Sequence, residues 1–200
     1  MADRDQNAYP NHVRRLVASG APIVVYDLET TGLDNLTAPA PRVWELAAVR
    51  RSTTGRVEAS RVINCGIPIP DEANIAGVDP MLPLKEGADL REVLERFSAF
   101  IEGAVLIGHN ILGFDNAILL AEYARAGLPA PVALADRRRC IDTLTFSRAL
   151  FPKDEPGSPA RHRLVDMAGH LGVPMSGTAH RALADVIVCE QVFDALVSRL

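Results

Sequence analysis

Asp27 and Glu29 stand two residues apart at the end of the apolar run Ile23-Val24-Val25-Tyr26. Side chains alternate along a strand, so both carboxylates point the same way. Two close carboxylates repel and raise each other's pKa unless a cation neutralises them. Hard divalent cations such as Mg²⁺ prefer oxygen ligands of this kind. By itself the pair has a plainer reading as solvated surface charge, because so short a motif recurs by chance. Asp115 offers a third carboxylate, after Gly108-His109-Asn110 and Gly113, in the first turn of an expected helix. There the helix macrodipole alone would account for it. Asp185 is the fourth, near the start of an otherwise apolar terminal helix, with Val186-Ile187-Val188-Cys189 directly after it. That setting turns it inward or toward a cleft, where an unpartnered carboxylate is costly and a metal would supply the partner. His180, five positions earlier, falls at the helix start, where the dipole disfavours its charged form and leaves the imidazole free to act as a base. A histidine held there by a backbone carbonyl is the competing reading.

The elements that would carry these groups can be read from the pattern. A short amphipathic helix spans 10–20, with Asn11 as its N-cap. The run from Ile23 is continuous and β-forming, as in a central strand buried on both faces. Residues 42–52 and 56–66 read as two strands around Thr54-Gly55. Residues 67–88, with Pro68, Pro70, Pro80 and Pro83, read as loop with one short helix near Glu72–Ile75. Leu90, Val93, Leu94, Phe97 and Ile101 then keep helical spacing behind Asp89 and Glu92, which resemble a capping box. A short strand at 104–107, a helix at 114–126, a strand at 140–142 and helices at 143–150, 164–171 and 181–200 complete the reading. Strands gather early and helices alternate later, the pattern of a mixed sheet flanked by helices.

Composition narrows the function. The chain has 200 residues, 48% apolar and 23% charged, with 14 glycines in no repeat, which excludes disordered and fibrous classes. No signal peptide or membrane-spanning run is present, and Cys65, Cys140 and Cys189 form no zinc or disulfide pattern, so the expected setting is a soluble, cytoplasmic, reducing one. Net charge is −4, against the basic footprint of most nucleic-acid binders. The charge is uneven, with −6 over residues 1–136 and +2 over 137–200. Arg137–Arg139, Arg161 and Arg163 are candidates for a few phosphate contacts, although a solvated loop explains any one of them.

Three segments in this order carry a family resemblance: Tyr26-Asp27-Leu28-Glu29-Thr30-Thr31-Gly32, then Gly108-His109-Asn110 with Phe114-Asp115, then His180-Arg181-Ala182-Leu183-Ala184-Asp185. They closely resemble the three motifs of the DEDDh (DnaQ-like) 3′-to-5′ exonuclease family, and the likeness runs from about Ile23 to Leu196. It implies a ribonuclease H-like α/β fold, a five-stranded mixed sheet with helices on both faces. Residues 1–20 would be an N-terminal extension and 21–200 the exonuclease domain. The resemblance carries Asp27, Glu29, Asp115 and Asp185 over as ligands of two Mg²⁺ or Mn²⁺ ions, and His180 as the general base. Thr30, Thr31, Leu33, Asn110 and Phe114 become candidate contacts to the terminal nucleotide. Glu45, Asp142 and His109 read as structural support, and Trp44 as core.

The implied activity is hydrolysis of phosphodiester bonds at 3′ ends of single-stranded DNA or RNA, releasing nucleoside 5′-monophosphates. An oligoribonuclease or RNA-trimming enzyme has the same chemistry, since the motifs do not encode treatment of the 2′-hydroxyl. A catalytically silent nucleic-acid-binding module is the reading from another class. The loop at 72–79 departs from the family's pattern, reading Ala76-Gly77-Val78-Asp79. No extension follows the last helix, which favours a stand-alone nuclease over a dedicated polymerase subunit. Four of the acids are the proposed ligands, so part of the acidity marks the metal site and excludes only a broad, duplex-coating mode of binding.

Overall fold

The computed structural model describes residues 8–32, 41–175 and 181–200. Strand β1 (Ile23–Thr30) lies at the centre of one sheet, where Val24, Val25 and Tyr26 are almost completely buried. It pairs antiparallel with β2 (Val43–Ser52), which pairs antiparallel with β3 (Gly55–Val62) across a tight turn. On its other side β1 runs parallel to β4 (Val105–Gly108), and β4 to β5 (Cys140–Asp142). The order is β3-β2-β1-β4-β5, a five-stranded mixed α/β sheet as the sequence implies. Because β1, β4 and β5 are parallel, their carboxyl ends reach the same edge. That is where open α/β sheets place ligands.

The helices, in chain order, are α1 (Ala8–Ala18), α2 (Leu82–Glu86), α3 (Leu90–Phe100), α4 (Asp115–Arg125), α5 (Val132–Ala135), α6 (Thr143–Leu150), α7 (Leu164–Leu171) and α8 (Ala182–Val197). They divide between the sheet's two faces according to the period-2 alternation of the strands. Val24, Tyr26 and Leu28 of β1 face Leu94 and Phe97 of α3 and Ile118 and Tyr123 of α4. Val25 faces the opposite core, built with Val13 of α1, Phe146 of α6, Met167 of α7 and Val192 and Leu196 of α8. Asp27 and Glu29 share the parity of Val25 and therefore point to the α8 side.

Most expected elements form near their expected places, and the differences have local causes. Helix α1 starts at Ala8, so Asn11 lies inside it and accepts from Arg14 Nη1 at 2.8 Å rather than capping the helix. Helix α1 packs on the sheet: Tyr9 Oη accepts from the Asp142 backbone N–H at 2.7 Å, and Val13 is fully buried. Asp89 caps α3 by accepting from the Glu92 N–H at 3.0 Å, as its capping box implies. Strand β3 ends at Val62 rather than near Gly66, because Ile63 and Asn64 turn to bridge Ala88. The short helix read near Glu72–Ile75 is a 3₁₀ turn at Asp71–Ala73. Two short helices, α2 and α5, occur where prolines suggest loop. Pro83 sits in the first turn of α2 and Pro131 just before α5, positions where a proline's missing N–H costs nothing.

One buried ion pair locks helix to sheet. Glu122 of α4 is completely buried, and its Oε1 accepts from Arg42 Nε and the Val43 N–H, both at 3.0 Å, and from Arg125 Nη1 at 2.8 Å. Removing such an acceptor strands its donors. Glu122→Ala is therefore expected to destabilise the protein by about 3 kcal/mol, read as a lowered urea midpoint.

Candidate active site

Three carboxylates converge at the carboxyl end of β1. Asp27, Glu29 and Asp185 each offer an oxygen, and these oxygens lie within 4.8 Å of one another. The first two are brought together by strand alternation, two residues apart on one face. Asp185 arrives in the first turn of α8, a helix held against β1 and β2 by its apolar side. At Glu29/Thr30 the β1–β2 register shifts, from Glu29 opposite Glu45 to Thr30 opposite Val43, so Trp44 is the extra residue. Such a bulge re-aims side chains at the end of a strand. Trp44 is fully buried, in a small core with Cys65, Ile69 and Ala73.

Glu45 fixes where α8 begins. It is buried and accepts from Arg181 Nε and Nη2, each at 2.9 Å, a bidentate pair, and from the Ala182 N–H at 3.3 Å. One carboxylate thus binds an arginine fork and an unpaired N–H of the helix start. Because Glu45 stands opposite Glu29, Arg181 also lies near Glu29 and offsets part of the repulsion there. The structural role read for Glu45 is observed. Arg181, which nothing in the sequence singles out although it sits within a recognised motif, proves to be its partner.

Asp142 performs the matching task for Asp115. Its buried carboxylate caps α6 through the Leu144 and Thr145 N–H groups, at 3.0 and 3.2 Å. It also accepts the Asn110 and Leu112 N–H groups, both at 3.1 Å, and so shapes the 109–114 loop that delivers Asp115. The loop can turn tightly because Asn110 takes a left-handed backbone (φ 68°). Gly108 permits the close approach, since a Cβ there would meet Ile111 Cγ2 at 2.1 Å. His109 joins Thr143 through an Nδ1–Oγ1 hydrogen bond of 2.9 Å, the scaffold role its position suggests. Asn116, unmarked in the sequence, accepts from the buried Tyr26 hydroxyl and donates to the Leu134 carbonyl at 2.9 Å.

Asp115 is almost fully buried and stands apart from the tight trio. It is held by the Leu28 N–H, next to Asp27, and is the strongest neighbouring charge acting on Asp27. Burial, then Asp115, Glu29 and Asp185, push Asp27 well above the ordinary carboxylate range. Burial and Asp185 raise Glu29 to about 8, and burial raises Asp115 to about 7. In neutral solution these groups cannot all ionise without a compensating cation. An all-oxygen donor set that accumulates negative charge in a half-buried setting fits a hard divalent cation.

The remaining candidates divide. Thr30 is buried and its Oγ1 donates to the Gly32 carbonyl at 2.6 Å, while Thr31 Oγ1 accepts from the Arg42 N–H at 2.9 Å, so both hydroxyls help close the turn after β1. Asn110 is exposed, and Phe114 is half-buried at the N-cap of α4. Leu33 and His180 lie outside the described residues. The basic candidates separate in space. Arg137–Arg139 precede β5 at the sheet's amino-terminal edge, where Arg139 Nη2 donates to the Ala104 carbonyl, whereas Arg161 and Arg163 lie with Asn110 at the carboxyl edge.

Comparison with known proteins agrees with this geometry. The family model RNase_T, described as an exonuclease, matches residues 24–193. The chain is 32% identical over 179 residues to the DNA polymerase III subunit epsilon of Treponema pallidum, covering 86% of this chain and 75% of that protein. It is 28% identical over 182 residues to the Arabidopsis thaliana chloroplastic/mitochondrial exonuclease DPD1, covering 87% of this chain and 55% of that one. The fold is that of Escherichia coli exonuclease I, solved with a dT13 oligonucleotide, with a TM-score of 0.70 at 17% identity over 90% of this chain and 41% of that one. The chain thus spans about half the length of some of these relatives. No described helix is long and apolar enough to cross a membrane.

The raised carboxylate pKa values have a measurable consequence. A carboxyl that binds its proton more tightly folded than unfolded stabilises the fold at low pH, and that stability is lost as pH rises toward the folded pKa. In EDTA, Tm should fall between pH 5 and 8, a window set by Asp115 at about 7 and Glu29 at about 8. Added Mg²⁺ or Mn²⁺ should raise Tm more at pH 8 than at pH 5. In Asp27→Asn both the pH slope in EDTA and the metal-dependent rise should shrink.

Proposed function

The chain belongs to the RNase_T exonuclease family, DnaQ-like within the ribonuclease H-like superfamily, and on that basis we propose that it is a divalent-metal-dependent 3′-to-5′ exonuclease acting on single-stranded ends. The observation that carries this reading is the convergence of Asp27, Glu29 and Asp185, with Asp115 acting on Asp27. Four costly carboxylates at one sheet edge serve no stabilising purpose, which weighs against a silent binding module. The proposed ligand set for two Mg²⁺ or Mn²⁺ ions is Asp27, Glu29, Asp115 and Asp185. When bound, such ions would neutralise phosphoryl oxygens and make water more acidic.

The chain's own groups would do the rest. A water oxygen attacks the phosphorus of the terminal phosphodiester, an imidazole nitrogen of His180 takes the water's proton, and the P–O3′ bond to the upstream nucleotide breaks, its electron pair leaving on O3′, which takes a proton from solvent to become the new 3′-hydroxyl. The product is a nucleoside 5′-monophosphate. An ordinary imidazole pKa of ~6.5 suits that proton transfer near neutral pH. Arg181, through Glu45, holds the start of α8 and so the position of Asp185. Asn110 and Phe114, with Thr30, Thr31 and Leu33, are the proposed wall against the last nucleotide. DNA and RNA ends both fit this reading. Polymerase association is a second possibility, motivated by the resemblance to a polymerase III epsilon subunit.

Incubation with Mg²⁺ or Mn²⁺ and 5′-labelled single-stranded DNA or RNA should give a ladder that shortens from the 3′ end. A blocked 3′ end should abolish the ladder. Asp27→Ala and His180→Ala should each slow it at least a hundredfold while folding normally, consistent with ~10²–10⁴-fold contributions from catalytic groups. Undiminished activity in a clean Asp27→Ala preparation would sink the catalytic assignment.

A further inference from the structure

A second cleft, of about 650 Å³, opens at the same carboxyl edge of the sheet. That lies within the ~300–1,000 Å³ range of ligand clefts. His109 and Asn110 form part of its lining, and the end of α6, the 152–163 connection and the start of α7 enclose it. Arg148 and Lys153 line it together with Arg161 and Arg163, and no acidic residue does among the described residues. Arg163 is engaged by Asp166, at 2.7 and 3.0 Å. Arg148 and Lys153 form no ion pair with a described carboxylate, and Arg161 only shares the field of Asp166, which Arg163 already engages. Asp154 and Glu155, next to Lys153 in the chain, are exposed on the connecting turn, and neither they nor Asp166 line the cleft. His162, also in the lining, is held below the ordinary imidazole range by burial and then by Arg148. Four gathered cations facing the single carboxylate of Asp166 leave an excess of positive charge, which a bound polyanion would relieve.

The cleft borders the carboxylate edge through the 109–114 loop. Asn110 lines it, and the Asn110 carbonyl accepts from the Phe114 N–H at 3.0 Å, directly before Asp115. Parallel pairing sets Ile107 beside Val25, so the cleft's inner end and the carboxylates leave the sheet side by side. We propose that this cleft binds the sugar-phosphate backbone of the substrate strand 5′ of the scissile bond, with Arg148, Lys153 and Arg161 on successive phosphates. The inference rests on the exonuclease reading and adds the track that favours long strands over single nucleotides. Few cations are involved, in keeping with the acidic chain as a whole.

The test compares wild type with Arg148→Glu/Arg161→Glu and with Lys153→Glu on three substrates: the p-nitrophenyl ester of thymidine 5′-monophosphate, which has no upstream phosphate, and the oligomers dT20 and rU20. Wild type should prefer a 20-mer. The double variant should lose about tenfold in kcat/KM on it, and the slope of log kcat/KM against log salt should flatten by roughly 0.7 for each phosphate that is no longer neutralised. Activity on the ester should be unchanged, and Arg161→Lys should retain most of the oligomer preference. Wild-type behaviour of the charge-reversed variants on the oligomers, or an equal loss on the ester, would overturn the cleft assignment alone. Failure of wild type on every substrate would overturn the exonuclease reading itself.

Discussion

Repulsion among carboxylates at the carboxyl end of β1 is the constraint around which the molecule is arranged. Asp27, Glu29 and Asp185 are held within a few ångströms, and Asp115 adds its charge from beside the Leu28 N–H. Nothing intrinsic to these side chains would keep them together. The sheet, its two cores and the loops impose the arrangement, and the strain appears as carboxyl groups that resist ionisation. A site of this kind suits a divalent cation because the fold has already gathered carboxylate oxygens that could hold one.

Two other buried acids show how that task is divided. Glu45 and Asp142 lie on strands flanking β1 and β4, and neither contributes to the tight trio. Each commits its acceptors to the elements that deliver a site carboxylate: Glu45 to Arg181 and the start of α8, Asp142 to the 109–114 loop and the start of α6. Backbone N–H groups and an arginine fork satisfy their oxygens, whereas Asp27 faces Asp115, Glu29 and Asp185. The same residue types, a few ångströms apart, thus take opposite roles according to their donors. The docked α1 extends this support, since Tyr9 bonds the Asp142 backbone from outside the sheet.

Much of this is legible in the chain. The apolar run at Ile23, the helical spacing from Leu90 and the glycines around Asn110 encode local structure, and local structure is what periodicity reports. The three motifs make the family and the fold class readable together. Less legible are α2 and α5, whose prolines look like breakers until their first-turn positions are seen. The start of α1 is also misplaced by pattern alone, because Asn11 has the chemistry of a cap but lies inside the helix.

Motif spacing and burial periodicity are properties of the chain alone, and they suffice to point to the carboxylates of the site, the type and order of the elements, and the family. Packing settles what distance in sequence conceals. Arg181 meets Glu45 across 136 positions, Asp142 organises a loop some 30 residues before it, and Glu122 clamps the start of β2. Packing also divides one set of candidate arginines between opposite edges of the sheet and places Arg161 beside Arg148 and Lys153. Side-chain pairing and shared electrostatic fields depend on separation in space, and only the packed sheet sets that separation.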